Sequence, residues 1–243
     1  MNRLVFRKLP QLSYPVNEAF NTLSTNVSFL GRDIKKIMIT SSQASEGKSF
    51  TSITLCRKLA ERGKRVVLVD TDLRRSRITT VYGVQFAPGS KKQGLSHYLA
   101  GIAEKEEVLF NTNIPGMDFI PMGHELLNPI PLLSSERFQN LLDGLAEQYD
   151  YVIVDAAPVG VVIDAAEIAK ACDGILLVVS YNQVHRQELI DVKNQLEQTG
   201  CPILGTILNP VDYEGFANKK YYYKSHYSSY YKAYEKEAEE KKS

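Results

Sequence analysis

The chain has 243 residues, 44% hydrophobic and 23% charged, the make-up of one ordinary soluble globular domain with room for an appendage. Its 29 lysines and arginines against 28 aspartates and glutamates leave a net charge of +1, which excludes the overall positive field behind non-specific nucleic-acid binding; any basic patch must be local. Three cysteines, far apart and without a secretory leader, argue against a disulfide framework or zinc ribbon and for a cytoplasmic setting, and no run nears the roughly 20 apolar residues that span a bilayer.

Residues 1–35 are expected as an N-terminal helical segment, in which Phe20, Leu23, Val27 and Leu30 recur at the spacing of a core-facing helix stripe. Residues 36–209 then alternate short β-branched runs with helical patterns. Strands are predicted at 37–39, 66–69, 117–120, 152–154, 175–179 and 203–208, and helices at 48–62, 134–147, 164–171 and 184–198. This alternation predicts a parallel sheet, and strands that are apolar almost throughout predict burial by helices on both faces. Gly63 and Gly200 follow helical patterns where a left-handed cap is wanted, while 83–94 and 121–131 read as loops. From about Gly215 the composition changes. Tyr221, Tyr222, Tyr223, Tyr227, Tyr230, Tyr231 and Tyr234 are half of the chain's 14 tyrosines, and residues 216–243 carry seven lysines against four glutamates, so this part reads as a flexible tail outside the core.

The segment 36–49 is strand, loop and helix start, with Gly47-Lys48-Ser49 where a phosphate-binding loop places its Gly-Lys-Ser and Ser42 in place of the first glycine. Such a loop works through backbone N–H groups, here those of Ser45, Glu46, Gly47, Lys48, Ser49 and Phe50, converging on phosphate at a helix N-terminus. Lys48 then reaches the β- and γ-oxygens of the phosphates and the Ser49 hydroxyl binds Mg²⁺. Taken alone, the motif is also consistent with an ordinary lysine at a helix start. Two further elements support the nucleotide reading. Asp70-Thr71-Asp72-Leu73-Arg74 follows a strand and sets two carboxylates on one side of an extended chain, and Asp155 ends another strand as a Walker B acid able to support the metal.

Together with the terminal tyrosine cluster, these residues resemble bacterial tyrosine kinases, and more narrowly the stand-alone cytoplasmic kinases of capsular and exopolysaccharide biosynthesis in Gram-positive bacteria. The resemblance runs from about Glu18 to the C-terminus and includes Asn128-Pro129, the stretch from Ala157 to Ala165, and Gly205 to Asn209. It implies an α/β fold of the P-loop NTPase type, three α/β/α layers around a mostly parallel sheet, with a kinase core at 36–215 and the tyrosine-rich tail at 216–243. ATP and Mg²⁺ are the implied cofactors. Lys48 binds phosphate, Ser49, Asp72 and Asp155 serve the metal, and Asp70 is the candidate base for the tyrosine hydroxyl, although the parts of Asp70 and Asp72 could be exchanged. Asn209 sits where related ATPases recognise adenine, and equally where an ordinary turn residue precedes Pro210. Asp164 is expected as an N-cap with Glu167 completing a capping box.

The tail tyrosines are then phosphoacceptors in an autokinase that regulates polysaccharide polymerisation and export. Implied partners are a membrane adaptor of the polysaccharide co-polymerase type, a cognate phosphotyrosine phosphatase and further copies of the chain, with no nucleic acid. The kinase would be cytoplasmic and recruited by the adaptor to the inner face of the membrane. One departure stands out: many members carry arginines three and six residues after a glutamate, used in ring assembly, whereas Glu18 is followed by Asn21 and Ser24. The alternatives are a partitioning or positioning P-loop ATPase acting as a nucleotide-controlled assembly switch, and a non-catalytic nucleotide-binding scaffold. Aromatic stacking of the tail on single-stranded nucleic acid is disfavoured by its lack of Arg and Trp.

Overall fold

A computed structural model describes residues 2–181 and 184–209. In chain order the elements are β1 (Asn2–Phe6), α1 (Tyr14–Ser28), β2 (Lys36–Ser41), α2 (Lys48–Glu61), β3 (Val66–Asp70), α3 (Ile78–Val81), β4 (Val84–Phe86), α4 (Leu95–Leu99) and α5 (Lys105–Val108). They continue with β5 (Phe110–Asn111), β6 (Met117–Ile120), α6 (Ile130–Leu133), α7 (Glu136–Gln148), β7 (Tyr151–Asp155), α8 (Asp164–Ala169), β8 (Gly174–Ser180), α9 (Arg186–Glu197) and β9 (Ile203–Asn209). The strands form one sheet in the order β4-β1-β5-β6-β3-β7-β2-β8-β9. From β6 to β9 every neighbouring pair is parallel; β5 pairs antiparallel with β6, and β1 antiparallel with β4, so β1 and β5 alone run against the rest.

The apolar strands of the sequence are buried on both faces, because successive side chains enter opposite layers. Met38, Val67, Val69, Val152, Val154, Ile175 and Leu177 face the layer of α7, α8 and α9, where Phe138, Leu141, Leu145, Ile168, Val192 and Leu196 meet them. Ile37, Ile39, Val66, Leu68, Ile153, Leu176 and Val178 face the other layer, against Ile53, Leu55, Cys56 and Leu59 of α2 and Val27 of α1. The α/β architecture is thus the one expected. Gly63 and Gly200 adopt φ of 80° and 77°, the left-handed caps predicted after α2 and α9.

The N-terminal stretch, expected as purely helical, differs. Residues 2–6 form a strand of the same sheet, and Leu4 and Phe6 belong to the core beside Phe110 and Phe119. Its partner β4 lies in the stretch read as a loop; three residues with an exposed centre carry no period that a sequence could display. In α1 the positions of the missing arginines are occupied differently from each other: Asn21 Nδ2 donates to Glu18 Oε1 (2.8 Å), whereas Ser24 is buried and donates to the carbonyl of Asn21 (2.8 Å). The tail, with all seven of its tyrosines, lies outside the described residues. The three cysteines are free thiols, and among the described residues no helix is long and apolar enough to cross a membrane.

Candidate active site

Strands β2, β3, β7, β8 and β9 end on the same side of the sheet, and the phosphate-binding loop leaves β2 there. Six residues turn the chain from Ser41 into α2. The turn places Ser45 and Gly47 at positive φ, 66° and 92°. Glycine is needed at 47 for space as well, because a Cβ there would lie 2.2 Å from Asn209 Nδ2. The loop is braced from within by Glu46, whose carboxylate is buried. Its Oε2 accepts from Ser42 Oγ and Gln43 N (both 2.6 Å), and its Oε1 accepts from Ser180 N at the end of β8 (2.8 Å). Asn209 Nδ2 donates to the Glu46 carbonyl (2.9 Å), so the ends of β8 and β9 both hold the loop.

Beyond the loop, Lys48 Nζ lies 3.1 Å from Asp72 Oδ2, 3.4 Å from Ser49 Oγ and 3.6 Å from Asp155 Oδ2. Burial pulls this ammonium down, but the charges of Asp155, Asp72 and Asp70 outweigh it and hold Lys48 above the ordinary lysine value. Ser49 Oγ donates to Asp155 Oδ2 (2.7 Å) and Ser52 Oγ to Asp155 Oδ1 (2.8 Å). Asp70 is fully buried. Its Oδ2 accepts from Ser76 Oγ, while its Oδ1 has no hydrogen-bond partner. Burial, followed by the neighbouring Asp155 charge, pushes the Asp70 carboxyl well above the ordinary aspartate range.

These residues fit a divalent cation. The three oxygen groups assigned to the metal from sequence already converge on one cationic nitrogen, and hard oxygen donors suit Mg²⁺, which takes few protein ligands and completes its shell with water and phosphate oxygens. Among the described residues no group of three or more His, Cys, Asp or Glu side chains is placed to hold a metal by itself, this site included.

The structure therefore brings Lys48, Ser49, Asp70, Asp72, Asp155 and Asn209 together and places the other expected residues less simply. Glu46 turns its side chain into the loop, leaving only its backbone to face a ligand. The Phe50 ring packs edge-on against Phe20 of α1, with centroids 5.7 Å apart. Asp164 is not an N-cap: Ile163 holds that position, and the buried Asp164 carboxylate takes a forked pair of bonds from Arg74 Nε (2.6 Å) and Nη2 (3.0 Å). Ser52 and Ser180 were missed, and Arg74, quoted within the acidic motif, was given no role. Ser52 could have been found, since it shares a helix face with Lys48 and Ser49; Ser180 and Arg74 act on segments remote in sequence.

Known proteins share the sequence pattern and the fold. A family model described as an AAA domain matches residues 34–199. Tyrosine-protein kinase CpsD of Streptococcus agalactiae serotype III is 39% identical over 195 residues, covering 80% of this chain and 82% of that protein. Among solved structures, the kinase domain of Escherichia coli tyrosine kinase ETK superposes with a TM-score of 0.74 at 33% identity, covering 81% of this chain and 76% of that one. The chimerical protein CapA2B2 matches with the same TM-score at 27% identity, covering 84% and 93%.

Proposed function

The chain belongs to the bacterial tyrosine kinases, and from that premise we propose that it transfers the γ-phosphoryl group of ATP to tyrosine hydroxyls, its own C-terminal cluster among them, and so regulates polymerisation and export of a capsular or extracellular polysaccharide. The observation that carries this reading is the convergence of Lys48, Asp70, Asp72 and Asp155 at the carboxyl ends of β2, β3 and β7.

In this reading the N–H groups from Ser45 to Phe50 and the positive end of α2 hold the phosphates, and Lys48 moves its charge from the acids to the transferring group. Ser49, Asp72 and Asp155 would hold Mg²⁺, which supplies neutralisation of the β- and γ-phosphate charge when bound. Asp70 takes the phenolic proton as the tyrosine oxygen bonds to phosphorus and the bond to ADP breaks. A phenol of pKa about 10 is protonated at neutral pH, and a carboxylate with raised proton affinity is a better acceptor for it than an ordinary one. Asn209 is the candidate for the adenine side. The core is assigned to 36–215, and the acceptors are Tyr221, Tyr222, Tyr223, Tyr227, Tyr230, Tyr231 and Tyr234. A membrane adaptor recruits and activates the kinase, and a phosphatase resets it. Incubation with Mg-ATP followed by an anti-phosphotyrosine blot and an ATPase assay tests the assignment. Tyrosine labelling is expected; ATP hydrolysis without label would indicate a partitioning-type ATPase instead.

A further inference from the structure

Arg74 sits in the middle of the turn that carries both candidate acids out of β3. One acid is fastened to the far end of this turn, Asp70 accepting from Ser76 Oγ. The other closes its near end: Asp72 Oδ1 accepts from Arg75 N (3.1 Å) and the Asp72 carbonyl from Ser76 N (3.0 Å). Between them the Arg74 guanidinium makes three contacts. Nε and Nη2 donate to the two oxygens of Asp164, the first residue of α8 and 1% exposed, and Nη1 donates to the carbonyl of Leu127 (2.8 Å). Beside it, Leu126 N donates to the carbonyl of Leu73 (2.8 Å), whose side chain is wholly buried. The turn is thus tied to α8 on one side and to the 126–127 segment on the other.

We propose that Arg74, anchored by Asp164, is a positioning residue for the kinase reaction: its fork sets the 71–76 turn, and with it the Asp72 carboxylate opposite Lys48 and the Ser76 hydroxyl that donates to Asp70. The inference rests on reading Ser49, Asp72 and Asp155 as the residues that hold the cation. The contact set selects arginine. A planar fork aims two parallel N–H groups at the carboxylate oxygens and a third at a carbonyl on another segment, a fixed geometry that a point-like ammonium does not reproduce. Such outer partners orient the groups that meet a metal, and their loss commonly weakens metal binding or activity by about 10- to 100-fold.

A purely structural role must be separated from positioning, because removing one member of a buried ion pair strands the other charge whatever the pair does for catalysis. The test is the double variant Arg74→Met/Asp164→Leu, which strands no charge. Three quantities are measured: the thermal midpoint, ADP affinity without metal, and Mn²⁺ affinity in the ADP complex by electron paramagnetic resonance. Kinase kcat and KM are read alongside. The expected result is a folded protein with wild-type metal-free ADP affinity, Mn²⁺ affinity and kcat both reduced about 10- to 100-fold, and KM for ATP little changed. Wild-type Mn²⁺ affinity and kcat in the double variant would overturn the proposal. So would a parallel loss of metal-free ADP affinity, which would make the fork a support of the whole loop. If the double variant does not fold, Arg74→Lys, which keeps the charge facing Asp164 and loses the fork, is read by the same criteria. Asp72→Asn serves as the control for the underlying reading. Unchanged Mn²⁺ affinity there would remove Asp72 as a metal residue and overturn both.

Discussion

Asp70 and Asp155 are register partners at the carboxyl ends of the neighbouring parallel strands β3 and β7, both fully buried, with the Lys48 ammonium 3.6 Å from Asp155 Oδ2. Two carboxylates set side by side away from water repel, and Lys48 is the cation that makes the arrangement tolerable. The same contacts that prepare the site for chemistry therefore weigh on the stability of the fold.

Replacing Lys48 by Met should abolish tyrosine phosphorylation, because the phosphates lose their principal cationic partner. It should also destabilise the protein by about 3 kcal/mol at neutral pH, since buried carboxylates are left without their counter-ion. That loss should shrink in acid as Asp70, whose carboxyl is held well above its ordinary range, takes up its proton. Phosphotyrosine blotting and denaturant titration at two pH values check both halves; a variant that still labels on tyrosine removes Lys48 from the mechanism.

Asp70→Asn should lower phosphoryl transfer roughly 10²- to 10⁴-fold while sparing nucleotide binding. The same variant has a stability signature. The carboxyl is held well above its ordinary value of 3.8 by burial and then by Asp155, so the folded state keeps the proton more tightly than the unfolded chain. The stabilisation from this group is full below about pH 4 and is lost as pH rises through the raised value. Asp70→Asn should therefore be more stable than wild type at neutral pH, with the advantage vanishing near pH 4. Thermal midpoints across that range decide the matter, and wild-type transfer rates in the variant would shift the base to Asp72.

Gly47→Ala should weaken nucleotide binding more than a typical helix-start substitution. The alanine would carry a positive φ of 92° and drive its Cβ into Asn209 Nδ2, the amide that holds the Glu46 carbonyl. Left-handed backbone in a non-glycine residue costs of order 1–3 kcal/mol. Calorimetric titration with ADP should show the loss, and an unchanged affinity would mean that the loop is not what holds the phosphates.

Replacing the seven tail tyrosines by Phe should remove nearly all autophosphorylation and leave the fold intact. Three of the tyrosines outside the tail offer poor alternatives. Tyr82 is 6% exposed, the Tyr149 hydroxyl donates to Asp118 (2.6 Å), and the Tyr98 ring lies under the Arg137 guanidinium at 4.3 Å. Mass spectrometry that found the phosphate chiefly on these three would contradict the assignment of the acceptors.

A cytoplasmic peptide from the membrane adaptor should raise the apparent ATP affinity about 5- to 150-fold, the range of a coupling free energy of about 1–3 kcal/mol. For that to happen the peptide must bind the ATP-competent state more tightly than the idle one. Titration of ATP with and without saturating peptide, following bound nucleotide and phosphotyrosine together, checks the coupling. Equal affinities would make this kinase autonomous.

The sequence by itself determined the α/β class, the six strands and four helices of the main pattern, and the loop, the paired acids and the strand-end acid that make the site. These are local properties: β-branched runs buried on both faces, a Gly-Lys-Ser at a strand-to-helix turn, and carboxylates spaced by two on an extended chain each leave a mark within a few residues. Only the tertiary structure decided that β1 and β4 extend the sheet, since strands of five and three residues without a repeated period declare themselves through their partners. It also decided which carboxylates touch. That Asp70 stands beside Asp155 follows from the register of β3 on β7, and that Asp164 serves Arg74 follows from α8 beginning beside the turn after β3. Glu46 is the sharpest case: the motif called on its backbone N–H and said nothing of its carboxylate, which the Ser42, Gln43 and Ser180 donors draw inward. Spacing along a chain states which groups can meet a ligand. Burial and the donors supplied by distant strands state which of them are already spoken for.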